Sequence, residues 1–419
     1  MGNTRAKVIA CVNHDANAIA SHLANHPETK HFTEDIRDFA VVVKIKKIVD
    51  AIRKRHPDCF IKVWASLECT NFSNAKGGLP KDADSRTLAE HLPMYLDALN
   101  PDYLYIENVR EFRSWGALDK NNKPISREKG NDYLKWVNSI KAMGYEYDYR
   151  DLNSADFKAY TSRMRYFGIF AKTGLPIEFP EPEIKSKAKR KPVREVLDLT
   201  NLGADLFCKK RSDNTISRIH RGLEKALGQP YFLTSYYGNG NSHSVDVPCN
   251  TLTTKDRYAF HYVHYEYSTL TTSSIDAPVG SFTTTPKHNL VTAEWLTDFQ
   301  FGRVYKSLNE PCMTIIARQD KKPIYLLQAE QGHPTDFINA DDSDQVKELK
   351  QFMIDKGIKA VYIRMLTLEE MLMIQGFPRD YKLVGTKANK TKFIGNSVPP
   401  VLARKLAEAG ERALTQYIN

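Results

Sequence analysis

The sequence predicts an α/β protein with a doubly wound, mostly parallel sheet and a smaller β-rich region inserted into it. Two observations predict this fold class. Over the first 172 residues, apolar runs of strand length alternate with segments of helical periodicity, as in repeated βα units. After residue 175, prolines and basic residues cluster and short threonine-rich runs follow, which is typical of a linker and an irregular β domain.

The predicted elements of the first part alternate along the chain. Lys7 to Val12 is a nearly continuous apolar run, as expected of a strand buried on both faces. Further strands are expected at 63–67, 103–106, 145–152 and 166–170, with helices at 16–23 and 135–143. Another helix carries four leucines on one face, and Pro93 is expected to kink it rather than end it; the leucines are Leu88, Leu92, Leu96 and Leu99.

Reactive side chains lie near the ends of three predicted strands. Cys69 follows the strand at 63–67, and Glu107 follows the strand at 103–106. Arg163 and Arg165 alternate with Met164, so both arginines are expected to point to one face. Taken singly, these residues fit a buried thiol, a solvated carboxylate and an exposed strand edge. Together they place a nucleophile, a carboxyl group and two cations at the rim of one sheet.

The composition narrows the class of protein. Sixty Lys and Arg against fifty Asp and Glu give a net charge of +10, which favours a polyanionic partner. The six cysteines form no C-x-x-C pair and no zinc-like spacing, so we expect reduced thiols in a cytosolic compartment and no metal site. No apolar run approaches the roughly 18 residues of a membrane span, and no signal peptide is recognisable.

The region after residue 175 has its own pattern. Four prolines fall within 176–192, and residues 183–225 hold twelve Lys or Arg against six Asp or Glu. This excess fits a solvated surface or a surface that contacts the DNA backbone. A turn followed by a threonine-rich run recurs at Pro248, Pro278 and Pro311. The threonines reflect β-propensity, or they face DNA together with Lys255, Arg257, Lys287 and Arg318.

Two C-terminal motifs complete an ordered set. Residues 364–370 lead to Gln375-Gly376-Phe377-Pro378, and Gly395-Asn396-Ser397-Val398-Pro399-Pro400 follows. With Cys69, Glu107 and the motif at 161–165, this order resembles the DNA cytosine-5-methyltransferases of bacteria and phages. The resemblance implies a Rossmann-like, S-adenosylmethionine-dependent catalytic domain formed by residues 1–175 and 365–419. It also implies that residues 176–364 form a linker and a target-recognition domain.

The resemblance also assigns the chemistry. The substrate would be a cytosine flipped out of double-stranded DNA, and the Cys69 thiolate would add to its C6 so that C5 can accept a methyl group. Glu107 would hold the base edge, while Arg163 and Arg165 would support the catalytic loop, the carboxyl group and the base. Residues 73–84 resemble the mobile loop of the family. Two positions depart from the family pattern: Glu68 replaces a proline, and Thr161 replaces a glutamine.

For the cofactor, S-adenosyl-L-methionine, the resemblance assigns contacts to Asn13, His14, Asp35, Ile36, Asn396 and Val398. The glycine-rich loop of the family is not found, because no glycine lies between residues 3 and 76. Three explanations are open: a truncated chain or misassigned start, a separate chain that supplies the first strand and loop, or a decayed enzyme. Truncation is favoured, since the other motifs are present.

Two further functions compete with DNA cytosine methylation. A catalytically silent DNA-binding protein is consistent with Glu68 and the missing glycine loop, and cofactor binding discriminates it. An RNA cytosine-5 methyltransferase is the second alternative, although such enzymes commonly use two cysteines and only Cys69 is suitably placed. The expected biological role is DNA modification or restriction-modification in a prokaryotic or phage setting, with a cytoplasmic location.

Overall fold

The computed structural model describes residues 4–67, 88–116, 130–227, 232–235, 242–244, 258–260, 264–265, 271–272, 291–297, 305–317, 323–331 and 338–418. The chain forms two compact units. The first contains Met1–Val196, Pro311–Gln319 and Leu368–Asn419, and the second contains Leu197–Glu310 and Asp320–Thr367. The first unit thus continues past residue 175 and includes a short piece of the predicted insert. The functional roles assigned to the predicted domains stay predictions.

The elements follow one another in a βα order through the first unit. They are β1 Ala10–Asn13, α1 Ala16–Asn25, β2 Lys30–Thr33, α2 Phe39–Arg55, β3 Lys62–Ser66, α3 Leu92–Leu99, β4 Tyr103–Asn108, α4 Asn131–Ala142, β5 Tyr145–Asn153 and β6 Met164–Lys172. The second unit contributes β7 Ala204–Asp205, α5 Asp213–Leu227, β8 Phe232–Ser235, β9 Ser242–Ser244, β10 Tyr258–Phe260, β11 His264–Tyr265, β12 Thr271–Thr272, β13 Val291–Thr297, β14 Lys306–Ser307, β15 Tyr325–Gln331, α6 Asp344–Asp355 and β16 Ile358–Met365. The chain then returns to the first unit with α7 Leu368–Gln375, α8 Lys387–Asn396 and α9 Pro400–Ile418.

The main sheet of the first unit has the strand order β3-β4-β6-β5. Strands β3 and β4 are parallel, and β6 is antiparallel to both of its neighbours. Therefore β3, β4 and β5 point in one direction and only β6 is reversed. The predicted α/β class is confirmed, and a single reversed strand accounts for the sheet being only mostly parallel.

A second, two-stranded parallel sheet is formed by β1 and β2. Among the residues that the structure describes, neither of these strands is hydrogen-bonded to the four-stranded sheet. The pair is nevertheless part of the same core. Helix α2 buries Val41, Val42 and Ile45 against a cluster that also takes in Val12 of β1 and Val63 of β3. The parallel sheet is thus divided between β1 and β3, while one helix packs against both parts.

Strand β4 is covered on both faces. Leu104 and Ile106 face a cluster that includes residues of α3 and α4, whereas Tyr103 and Tyr105 face Leu402 and other residues of α9. Because alternate side chains of a strand point to opposite faces, burial on both faces explains why this strand is an unbroken apolar run. The position of β4 at the centre of the core fixes the residue that follows its apolar part, Glu107.

Two predicted details were wrong. The first strand begins at Ala10 rather than Lys7. Pro93 does not kink a long helix, because α3 begins at Leu92 and the proline lies in its first turn. A proline is well tolerated there, since the N–H that it lacks would have no partner inside the helix. Leu88 belongs to a separate 3-10 turn, Leu88–His91.

The second unit contains an antiparallel sheet with the order β14-β13-β15-β16-β7. Helices α5 and α6 pack on it through a core that includes Leu223, Leu349 and Trp295. The threonine-rich runs after Pro248 and Pro278 lie outside the described residues, as do Lys255, Arg257, Lys287 and Arg318. The structure contains no described helix long and apolar enough to span a membrane.

Candidate active site

Glu107 is the buried centre of the candidate site. It lies near the end of β4, and only 6% of it is exposed. Its Oε1 lies 3.4 Å from Nε of Arg165. Burial raises the pKa of the Glu107 carboxyl, while Arg165, Arg163 and a hydrogen bond from Ser66 act in the opposite direction. Because burial is the largest of these effects, the site favours the protonated carboxyl more than water does.

Ser66 is a site residue that the sequence analysis missed. It is the last residue of β3 and lies directly opposite Glu107 in the parallel register. Its hydroxyl hydrogen-bonds to the Glu107 carboxyl and accepts a hydrogen bond of 2.9 Å from Nε1 of Trp64. The serine thus links the strand that precedes Cys69 to the strand that carries Glu107. Only the strand register reveals this pairing.

The structure brings both predicted arginines close to Glu107. Arg163 is buried just before β6, and its Nη1 donates to the Ile315 carbonyl at 3.4 Å. Arg165 lies within β6, with 17% of its side chain exposed. Both lower the pKa of Glu107 through their charge. This proximity follows from the antiparallel register, which pairs Glu107 with Phe167 and places the start of β6 at the carboxyl end of β4.

The segment 311–317 supports this arrangement from the side. The backbones of Cys312 and Thr161 form an isolated parallel β-bridge, and the Thr161 hydroxyl donates to the Met313 carbonyl at 3.4 Å. Gly395 packs against the same segment so closely that a Cβ there would lie 2.5 Å from backbone atoms of Ile316 and Ala317. A glycine is therefore required at this close backbone approach. The motifs at 161–165 and 395–400 meet through this segment.

The N-terminal residues predicted to hold the cofactor lie at one end of the β1–β2 pair. Asn13 ends β1 and is exposed together with His14, while Asp35 and Ile36 follow β2. Hydrogen bonds from Arg37, together with smaller effects of the charges of Arg37 and His14, lower the pKa of Asp35 to about 2. Since β1 and β2 are parallel, their carboxyl ends meet, and all four residues belong to the same edge.

The C-terminal pair lies at the end of α8, with Asn396 as its last residue and Val398 two positions beyond it. Asn396 is exposed, and Val398 packs against the cluster that includes α9. Lys392 of α8 lies 3.5 Å from Asp15, the residue directly after His14. The exposed polar groups around the ends of β1, β2 and α8 fit the adenosine part of S-adenosylmethionine, because ribose hydroxyls and adenine nitrogens require such partners.

Two parts of the predicted site lie outside the described residues. The first is Cys69 with the preceding Glu68, and the second is the loop at 73–84. In the sequence, Cys69 comes three positions after Ser66, the last residue of β3. Within the described part of the chain, no group of three or more His, Cys, Asp or Glu residues could hold a metal ion.

A sheet with one reversed strand, covered by helices on both faces and carrying polar residues at the carboxyl ends of its strands, defines the class of Rossmann-like methyltransferases. Comparison with known proteins identifies the family. The chain belongs to the C-5 cytosine-specific DNA methylase family, whose sequence model matches residues 1–412. The resemblance derived from the sequence motifs is thereby confirmed.

Individual relatives are similar over very different lengths. The type II methyltransferase M.XorII of Xanthomonas oryzae pv. oryzae is 23% identical over 414 residues, which cover 97% of this chain and 80% of that protein. M.HgiDI of Herpetosiphon aurantiacus is 47% identical over 56 residues, or 13% of this chain and 17% of that protein. M1.HphI of Haemophilus parahaemolyticus is 44% identical over 46 residues, 11% of this chain and 12% of that protein. The chain thus spans less than a fifth of the length of the last two relatives.

Two solved structures align with nearly the whole chain at low similarity. A DNA modification methyltransferase encoded within an E. coli prophage has a TM-score of 0.48 and 17% identity, covering 98% of this chain and 93% of that one. The Entamoeba histolytica methyltransferase EhMeth has a TM-score of 0.48 and 14% identity, covering 99% and 92%.

Proposed function

We propose that this protein transfers a methyl group from S-adenosylmethionine to C5 of a cytosine flipped out of duplex DNA, through a covalent adduct with Cys69. The observation that carries this proposal is the position of Glu107, a buried carboxyl group 3.4 Å from Arg165 at the carboxyl end of β4, where burial raises its pKa. N3 of cytosine is a hydrogen-bond acceptor and its exocyclic amine is a donor. A protonated carboxyl group donates to the first and accepts from the second, whereas a carboxylate can only accept.

The side chains of this protein would act in a fixed order. The Cys69 thiolate forms a bond to C6, and the electron pair of the C5–C6 double bond makes C5 nucleophilic while charge builds up towards N3. The hydrogen bond from Glu107 stabilises that charge. After methylation, loss of the C5 proton to a base restores the C5–C6 double bond and expels the Cys69 thiolate. Arg163 and Arg165 would keep the carboxyl group in place throughout.

The cofactor would be held by the residues at the ends of β1, β2 and α8. Asn13, His14 and Asp35 would bind the polar groups of its adenosine part, and Ile36 and Val398 would provide apolar contact; Asn396 would complete the set. When bound, S-adenosylmethionine supplies the methyl group as an electrophilic sulfonium substituent. The exposure of Asn13, His14 and Asn396 supports this assignment, because these side chains are available to a ligand.

We also propose that a further strand, ending in a loop of small residues, completes the sheet between β1 and β3. Within the described residues, β1 pairs only with β2, and β3 pairs only with β4. Both strands pack against α2, so an added strand would enter a core that already exists. Small residues are needed after such a strand because the backbone itself must approach the cofactor. A separate chain is one source of this strand.

The test is covalent trapping on duplex DNA that carries 5-fluorocytosine at candidate sites, because fluorine at C5 blocks release of the enzyme. We expect the wild type, with cofactor, to form an adduct that Cys69→Ala does not form. Equal trapping of both proteins would refute the role of Cys69. If the wild type binds DNA without forming an adduct, the experiment is repeated with the family's first strand and glycine-rich loop, either fused to the N-terminus or added as a peptide.

Two variants separate chemistry from binding. Cys69→Ser should abolish methylation while duplex binding stays near the wild-type level, since the hydroxyl is a much weaker nucleophile at neutral pH. Glu107→Gln should slow a single turnover by roughly 10²–10³-fold, as expected when one hydrogen bond to developing charge is lost. An unchanged single-turnover rate in Glu107→Gln would remove that residue from the mechanism.

A further inference from the structure

A basic cavity of about 550 Å³ lies on the first unit, outside the site described above. Its walls come from the 3-10 turn Ser154–Phe157 and the residues after it, from residues 183–196, and from the ends of α7 and α9. Five of its lining side chains are cationic and one is a carboxylate, Glu183. The cations are Lys158, Lys191, Arg379, Arg404 and Lys405.

Two contacts to Asp156 hold part of the cavity wall in place. Arg190 forms an ion pair of 2.6 Å with Asp156, and the Ile184 N–H donates to the Asp156 carbonyl at 3.0 Å. These contacts fix the basic segment 183–191 against the turn that follows β5. From the basic run that the sequence places in this region, Lys191 therefore lines the cavity at a defined position.

Lys158 and Lys405 both form ion pairs with Glu183, whereas the two arginines have only weak carboxylate partners. Arg404 lies 3.7 Å from Glu408 with 48% of its side chain exposed, and Arg379 lies 3.4 Å from Glu369 with 72% exposed. Exposed ion pairs of this kind contribute only about 0–1 kcal/mol. A phosphate that binds through two oxygens can compete for such guanidinium groups, because it forms two parallel charge-assisted hydrogen bonds where the present ion pairs are long and exposed.

Lys191 is the most available cation. Its Nζ lies 4.7 Å from the centre of the Tyr160 ring and 3.4 Å from the Tyr160 hydroxyl. That hydroxyl donates to Glu195 at 3.0 Å, which fixes the ring. Within the described part of the chain, no carboxylate forms an ion pair with Lys191. A half-buried ammonium group held over an aromatic ring is therefore presented to the cavity without a carboxylate at ion-pair distance.

The cavity lies at the same edge of the sheet as Glu107. Strands β4 and β5 are both antiparallel to β6, so they run parallel to each other and their carboxyl ends meet at one edge. The turn that lines the cavity follows β5 directly. Two strand spacings separate β4 from β5, or about 10 Å. This is the scale of one to two phosphate steps along a DNA strand.

We infer that this cavity binds backbone phosphates of the duplex that flanks the target cytosine, with Lys191 and Arg404 as principal contacts. The inference rests on the proposed function, since it takes the cytosine at Glu107 as the reference point. Contacts of this kind position the duplex without reading its sequence. The cavity would therefore set the register of the DNA relative to the catalytic edge.

The test compares the double variant Lys191→Gln/Arg404→Gln with the control Lys46→Gln/Lys135→Gln. Both pairs lose two charges and keep the apolar stems, and the control lysines lie on α2 and α4 with 48% and 80% of their side chains exposed. The dissociation constant for a duplex is measured from 50 to 300 mM salt. In a plot of the logarithm of the dissociation constant against the logarithm of the salt concentration, we expect the slope to be smaller by about 1.8 in the cavity variant. This is about 0.9 for each lost phosphate contact. At 0.1 M salt its binding should be roughly 10–100-fold weaker, while the control stays near the wild type.

Thermal unfolding of both variants checks that the fold is kept. Equal slopes for the cavity variant and the control would overturn the inference and leave the proposed function intact, provided that the wild type binds duplex DNA and is trapped on it. A wild type that binds no duplex would overturn both. Normal trapping of the cavity variant at saturating DNA, with a reduced salt slope, is the result expected of a positioning surface.

Discussion

Replacing Arg165 with Met should make the stability of this protein depend strongly on pH. The pair formed by Arg165 and Glu107 is nearly buried, with 17% and 7% of the side chains exposed and 3.4 Å between the charged atoms. Removing one partner from a buried pair typically costs about 3–5 kcal/mol when the other stays charged. Glu107 can avoid this cost by taking up a proton, because burial already raises its pKa.

The direction of the pH effect follows from this raised pKa. Arg165 lowers the pKa of Glu107, so Arg165→Met raises it further above the ordinary value of 4.5. When the pKa of a carboxyl group is raised in the folded state, the free energy of unfolding of the protein decreases as the pH rises, by up to about 1.4 kcal/mol per pH unit. We therefore expect the loss caused by Arg165→Met to grow with rising pH, from about 1 kcal/mol where Glu107 is protonated, because lost packing and hydrogen bonding remain, to roughly 3 kcal/mol where it is charged.

The assay is urea unfolding at pH 6, 7 and 8 for the wild type, Arg165→Met, Glu107→Gln and the double variant. In the Gln background the effect of Arg165→Met should be about 1 kcal/mol at every pH, because glutamine has no charge to leave unpaired. A loss that is the same at all three pH values in both backgrounds would show that Arg165 acts through packing alone, and the electrostatic account of the site would be wrong.

Two further substitutions test other parts of the first unit. Gly395→Ala should destabilise the protein by about 2 kcal/mol or more in urea unfolding, since its Cβ would meet backbone atoms at 2.5 Å and the packed segment must shift; an unchanged midpoint would show that this close approach is not maintained. Burial and the charges of His26 and His31 lower the pKa of His22 from 6.5 to about 4, so its contribution to stability is present above pH 6.5 and is lost as the pH falls towards 4. After allowance for its partial exposure, His22→Gln should remove about 1–2 kcal/mol of this acid sensitivity, and identical pH profiles of variant and wild type would contradict this.

The sequence was sufficient for those features that depend on local pattern. The apolar run at 103–106 predicted a strand, and the structure has β4 there, with Leu104 and Tyr105 facing opposite clusters. Pro93 was misplaced because a run of leucines at helical spacing does not show where a helix begins. A 3-10 turn carries Leu88, and the helix proper starts at Leu92.

The candidate site depended on information that the sequence does not contain. Its motifs named Glu107 and the two arginines, but their proximity results from the antiparallel register of β6 against β4. Ser66 carries no motif and becomes relevant only because the parallel register of β3 places it opposite Glu107. The roles of Cys69 and of the cofactor residues rest on family resemblance and stay predictions.

The division of the parallel sheet has a consequence for handling the protein. Strands β1 and β3 each present a row of backbone N–H and C=O groups without a strand partner among the described residues, and Trp64 and Val8 beside them are 39% and 40% exposed. Open, partly apolar strand edges are templates for pairing with another chain. Purified alone at high concentration, the chain should self-associate through these edges. A short peptide of high β-propensity should pair with the same edges and keep the protein monodisperse.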